Sequence, residues 1–186
     1  MNPRIHTRFV LPLLLLALPF SDALARKHLF VLAGQSNMVG HGERIGSVHP
    51  DSIPEIRIWS VSGAAHSEWI ALQHGLGEET AWYGPELQLG ETIRSLTPSD
   101  TFLFVKTAWS GTSMAEYWRS PARGGPSHCF RLMMEEVAAA RAALPQPAPR
   151  IDGFFWMQGE SDALEKPLAD EYRANLKAML TELRAA

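Results

Sequence analysis

The chain has 186 residues, a formal net charge of −3 and 46% hydrophobic residues, with no stripe of Lys and Arg; such a surface cannot neutralise a run of phosphates, and nucleic acid is excluded as a partner. One cysteine, Cys129, rules out an internal disulfide and leaves an apolar core to hold the fold. The seven histidines, at 6, 28, 41, 49, 66, 74 and 128, fall into no His-Glu-x-x-His or Cys/His ligand spacing, so neither a metal site nor a cofactor is expected.

Arg4 and Arg8 precede an apolar run from Phe9 to Phe20, and Ala23-Leu24-Ala25 follows. This is the layout of a secretory signal peptide cut near Ala25, predicting an exported protein, secreted or periplasmic. The run is shorter than the roughly 20 residues that cross a bilayer, so no stable membrane anchor is expected. Residues 26–186 then suit one domain.

Short apolar runs at Leu29 to Ala33, Ile56 to Trp59, Thr101 to Lys106 and Ile151 to Met157 predict buried parallel strands. Helical patterns lie between and after them, at Pro85 to Ser95, Phe130 to Leu144 and Leu168 to Arg184. Their alternation predicts an α/β fold, a three-layer α/β/α sandwich around a parallel sheet. Gly40 to Gly84, with Trp59, Trp69 and Trp82 and little periodicity, is expected to be loop-rich.

In such a sheet ligands bind beyond the carboxyl ends of the strands. Gly34-Gln35-Ser36-Asn37-Met38-Val39-Gly40 follows the first strand and exposes a serine near free backbone N–H groups. The same serine would also serve as a helix N-cap, and G-x-S alone leaves both roles open. Lys106-Thr107-Ala108-Trp109-Ser110-Gly111-Thr112-Ser113 follows the third strand, and Gly111 can offer an unobstructed N–H or simply make a turn. Trp156-Met157-Gln158-Gly159-Glu160-Ser161-Asp162 follows the fourth strand. The Gln158 amide can supply a third oxyanion donor, while Ser161 or Asp162 can cap the next helix.

Taken jointly, G-Q-S-N-M-x-G, Y-G-P-E-L, K-x-A-W-S-G-T-S-M-x-x-Y-W and W-M-Q-G-E-S-D-A resemble the sialate O-acetylesterase and acetylxylan esterase group of the SGNH (GDSL-like) hydrolase superfamily. The resemblance runs from about Leu29 to the end and implies a flavodoxin-like sheet and a serine esterase acting on an acetylated carbohydrate. It implies Ser36 as nucleophile, with the Ser36 and Gly111 N–H groups and the Gln158 side chain as the oxyanion hole. Gln35, Asn37, Glu86 and Glu160 become supporting residues; either glutamate, by its sequence alone, could instead be solvated. Trp109 and Trp82 are candidate sugar contacts, whereas Trp118 and Trp156 read better as core.

A serine hydrolase also needs a base, normally a histidine oriented by a carboxylate. The family's Asp-x-x-His, expected after a further strand, does not occur in these residues. His41, His74 and His128 read as ordinary surface histidines, with His41 placed to line the pocket. The expectation is therefore a fragment of a longer esterase, missing a C-terminal strand and helix, with Ile151 to Met157 left at a sheet edge and little activity of its own. A non-catalytic carbohydrate-binding relative and a lipase or thioesterase of the same superfamily are the alternatives. The glycan and the oligomeric state stay open.

Overall fold

A computed structural model describes residues 25–43, 51–62, 66–79, 82–125 and 127–185, so the expected leader, all but Ala25, lies outside the described residues. In chain order the elements are β1 (Lys27–Gly34), α1 (Ser36–Val39), β2 (Gly42–Glu43), β3 (Ser52–Ser60), β4 (His66–Gln73), β5 (Trp82–Tyr83), α2 (Glu86–Leu96) and β6 (Thr101–Ala108). A five-residue π-helical turn (Met114–Trp118) and a short 3-10 turn (Pro121–Arg123) lead into α3 (His128–Ala142), β7 (Ile151–Met157), α4 (Glu160–Ala163) and α5 (Lys166–Ala185).

The main sheet has five strands in the order β4-β3-β6-β1-β7. β3, β6, β1 and β7 run parallel, and β4 is antiparallel to β3. β6 occupies the centre because Phe102 to Ala108 is buried throughout, as a strand covered on both faces must be. Alternation sorts the side chains between the layers. Leu29, Val31 and Ala33 of β1, with Leu103 and Val105 of β6, pack under α3, α5 and Trp118. Leu32, Phe102 and Phe104 point the other way, toward Met38 of α1 and Leu87 of α2. The three layers expected from the sequence are thus present, with helices on both faces.

The stretch from Gly40 to Gly84 is more regular than expected. β3 starts at Ser52 rather than Ile56, β4 adds a fifth strand, and β2 and β5 form a separate antiparallel pair. β4 gave no clear signal because only Leu72 of its described side chains from Ser67 to Gln73 is fully buried, so an apolar/polar alternation never develops. It is tied down by α3, since Trp69 Nε1 donates to Ala140 O at 3.0 Å. β7 does lie at the opposite edge, with Phe155 and Met157 more than a third exposed. Among the described residues no helix is long and apolar enough to cross a membrane.

Candidate active site

Strand register brings the three motif loops to one level. Gly34 at the end of β1 pairs with Ala108 of β6 on one side and Met157 of β7 on the other. Gln35 N donates to Met157 O at 3.0 Å and Trp109 N to Gly34 O at 3.2 Å, so the loops leave the sheet stitched together. Gly34 is needed here because a Cβ would fall 2.0 Å from Met157 O. Ser36, Gly111 and Gln158 consequently all emerge at the carboxyl end of the sheet.

Ser36 opens α1 and is half-buried. Its hydroxyl makes no hydrogen bond to another described residue, and α1 has no side-chain cap, so the N-cap role left open by the sequence is unfilled. Gly111 has φ +72°, a conformation that L side chains rarely adopt, and a Cβ there would meet nothing within 4 Å. The space beside it is open.

Behind these two residues runs a buried polar network. Gln158 Nε2 has three acceptors in reach: Gln35 Oε1 at 3.1 Å, Thr112 O at 3.0 Å and Asp162 Oδ2 at 2.6 Å. Two amide hydrogens cannot satisfy three acceptors fully, and any oxyanion donated to by Gln158 must displace one of them. Gln35 Oε1 also accepts from Ser161 N at 3.3 Å. Asp162 is buried and accepts the N–H groups of Met114 at 2.7 Å and Ala115 at 3.2 Å. It therefore caps the turn after β6, not the helix after β7 that its sequence position suggested. Asn37 Nδ2 donates to Glu160 Oε1 at 2.5 Å, pairing two of the supporting residues on the surface.

Glu86 is fully buried, which excludes the solvated reading. Its carboxylate accepts from Gly84 N at 3.0 Å and forms an ion pair with Lys106 Nζ at 2.9 Å. Lys106 also donates to Val39 O at 2.7 Å and Leu76 O at 3.0 Å, and so ties the end of α1 to β6 from below. Burial pulls the Lys106 pKa down, and the Glu86 charge opposes that pull. Lys106 had read only as a strand end; a charge inside an otherwise apolar strand was the signal that could have singled it out.

Trp82 packs against His41 with ring centroids 5.1 Å apart and the rings tilted by 36°, and Trp109 packs on Trp118 at 5.6 Å and joins the core. Trp118 is fully buried and Trp156 Nε1 donates to Tyr172 OH at 2.9 Å, so both have packing roles. His74 lies edge-on to Tyr83, and His128 begins α3 on the surface. His41 instead joins Glu78 and Ser110 at the rim, a cluster the sequence did not announce. No group of three or more potential metal ligands occurs among the described residues.

A serine on the first strand-end loop of an open, mostly parallel α/β sheet, with polar loops gathered around it, is the architecture of the SGNH-like esterases. Within that class the chain belongs to the family described as carbohydrate esterase, sialic acid-specific acetylesterase, whose model matches residues 26–186. It is 25% identical over 172 residues to a probable carbohydrate esterase of Arabidopsis thaliana, covering 84% of this chain and 62% of that protein. The chain thus spans less than two thirds of the length of this curated relative.

Solved structures show the same fold. An Arabidopsis thaliana protein superposes with a TM-score of 0.67 at 23% identity, over 87% of this chain and 69% of its own. NanS gives 0.64 at 18% identity, over 86% and 62%. A carbohydrate acetylesterase from Xanthomonas citri gives 0.58 at 19% identity, over 85% and 38%.

Proposed function

We propose that this protein is an exported serine carboxylic ester hydrolase that removes O-acetyl groups from an extracellular or periplasmic carbohydrate. The observation that carries the reading is the common register of Gly34, Ala108 and Met157, which sets Ser36 and Gly111, with open space beside the glycine, at one end of the sheet. Ser36 Oγ attacks the acetyl carbonyl carbon, the C–O bond to the sugar breaks, and the sugar oxygen leaves with a proton. Water then attacks acetyl-Ser36 and releases acetate, with no cofactor required. The N–H groups of Ser36 and Gly111 face the developing oxyanion, and the Gln158 amide joins them by giving up one of its internal acceptors. Gln35, Asn37, Glu86 and Glu160 hold the loops in place.

The reading includes slow turnover by this chain alone. No described residue hydrogen-bonds Ser36 Oγ as a base, and Asp-x-x-His is absent from the 186 residues. In subtilisin, loss of the catalytic histidine costs on the order of a millionfold in kcat. The test is reaction with a fluorophosphonate and turnover of an aryl acetate, each compared with Ser36→Ala. Slow labelling confined to Ser36, driven by the oxyanion donors without a base, and turnover close to background are expected. Turnover well above background that Ser36→Ala abolishes would overturn the inactivity, and absence of labelling would favour a carbohydrate-binding relative without catalysis.

A further inference from the structure

Lys106 stands where an apolar residue would be expected. β6 is buried throughout from Phe102 to Ala108, and Lys106 lies between Leu32 of β1 and Ser60 of β3 with no exposed side-chain surface. An ammonium has three N–H donors, and three acceptors surround this one: Val39 O at 2.7 Å, Leu76 O at 3.0 Å and Glu86 Oε2 at 2.9 Å. A neutral amine or a methionine would leave at least one of these buried oxygens without a donor.

What the ammonium grips is the turn that carries the nucleophile. α1 is only four residues long, too short to hold its own shape in water, and no side chain caps its start. Gly40 N donates to Ser36 O at 2.9 Å, and the carbonyl of that same Val39–Gly40 peptide accepts from Lys106. A single peptide group therefore links the ammonium to the backbone of Ser36, and each of its two hydrogen bonds polarises the other. The second carbonyl, Leu76 O, lies two residues before Glu78. Glu78 N donates to Gly40 O at 3.1 Å, and the Glu78 carboxylate accepts from Ser110 Oγ, next to Gly111. One charge thus reaches the loops of both backbone groups assigned to the oxyanion hole. The packing around it is close: a Cβ on Gly84 would fall 2.6 Å from Glu86 Oε2, 2.8 Å from Met38 O and 3.1 Å from Lys106 Nζ. α1 therefore rests on backbone that Glu86 and Lys106 hold.

We infer that Lys106 is a positioning residue for the Ser36 nucleophile, fixing the direction of α1 through the Val39–Gly40 peptide; the inference rests on the esterase reading for what Ser36 does. Lys106 touches no reacting atom. Its effect is on geometry, and a misplacement of about 1 Å can cost on the order of 100-fold in rate.

The unaltered protein, Lys106→Met and the double variant Glu86→Gln/Lys106→Met are compared by two measurements. Labelling of Ser36 is followed at rising fluorophosphonate concentration, and exchange of the Gly40 amide hydrogen is followed by NMR. In both variants the limiting labelling rate is expected to fall about 10- to 100-fold, with the half-saturating concentration changed by less than about threefold. The Gly40 N–H should lose about tenfold or more of its protection from exchange. The double variant, with neither charge left alone, should recover resistance to urea without recovering the labelling rate, a separation that a purely structural role does not allow; it also carries the test should Lys106→Met fail to fold. Asp100→Asn, at the opposite end of the sheet, should label at the unaltered rate. Labelling of the folded double variant within about threefold of the unaltered protein, or unchanged exchange at Gly40, would overturn the inference. An unaltered protein that is not labelled at all sinks the esterase reading instead, and Gly40 exchange still decides whether Lys106 holds α1.

Discussion

The Asp162 carboxylate accepts the Met114 N–H at 2.7 Å and thereby caps, from the short α4 after β7, the helical turn that follows β6. Two of the three candidate active-site loops are joined through this bond, with Gln158 attached to the same oxygen at 2.6 Å.

Removing that carboxylate should loosen the site and the fold together. Asp162→Ala leaves the N–H groups of Met114 and Ala115 short of an acceptor, while the Gln158 amide keeps Gln35 Oε1 and Thr112 O. A loss of about 3 kcal/mol is expected, since each buried unsatisfied group costs roughly 1–3 kcal/mol. Asp162→Asn retains one oxygen and should lose about half as much. Urea unfolding with an unchanged m-value measures both.

The Glu86–Lys106 pair, fully buried at 2.9 Å, should behave as a coupled unit. Glu86→Gln or Lys106→Met strands one charge in the interior and is expected to cost about 3–5 kcal/mol. The double variant should lose clearly less than the sum of the two, because neither charge is then left alone. A double-mutant cycle from urea midpoints reads the coupling directly.

Acid should weaken the amino-terminal end of the sheet. The Arg26 backbone N–H, and after it the His28 ring at 3.1 Å, hold the Asp100 carboxyl below its usual range. A depressed folded-state pKa contributes stability above the unfolded value of about 3.9 and loses it as pH falls through the lower folded value. Unfolding followed by circular dichroism should therefore steepen below about pH 4, and Asp100→Asn should flatten that part of the curve.

Cys129 should be inert in the native protein. It is 2% exposed in the first turn of α3, and burial pushes its pKa up to about 12. A disulfide reagent at pH 8 is expected to leave the thiol unmodified until urea is added, and then to titrate one thiol per chain.

Gly111→Ala separates backbone strain from packing. An alanine forced to φ +72° costs roughly 1–2 kcal/mol, yet its Cβ meets no atom within 4 Å. The fold should survive with a loss of about 1 kcal/mol. The fluorophosphonate reaction at Ser36 should slow, because the methyl group stands in the space beside the proposed oxyanion donor.

Much of the scaffold was legible because its signals are local. Thr101 to Lys106 and Ile151 to Met157 read as strands since continuous apolar runs bounded by turn residues have few other solutions. The α3 and α5 helices fell within two residues of their expected starts for the same reason. β4 escaped notice because an edge strand buries too little to impose a pattern, and its pairing with β3 depends on a neighbour rather than on its own residues.

What the sequence by itself determined is the order of strands and helices, the family motifs, and the placement of Ser36, Gly111 and Gln158 just past strand ends. Tertiary structure decided how those residues and their neighbours are held. Glu86 meets Lys106, Asp162 caps a turn 48 positions away, and His41 meets Glu78 across 37 positions. Hydrogen bonds and ion pairs act over about 3 Å of space whatever the separation along the chain, and no periodicity in the sequence encodes them.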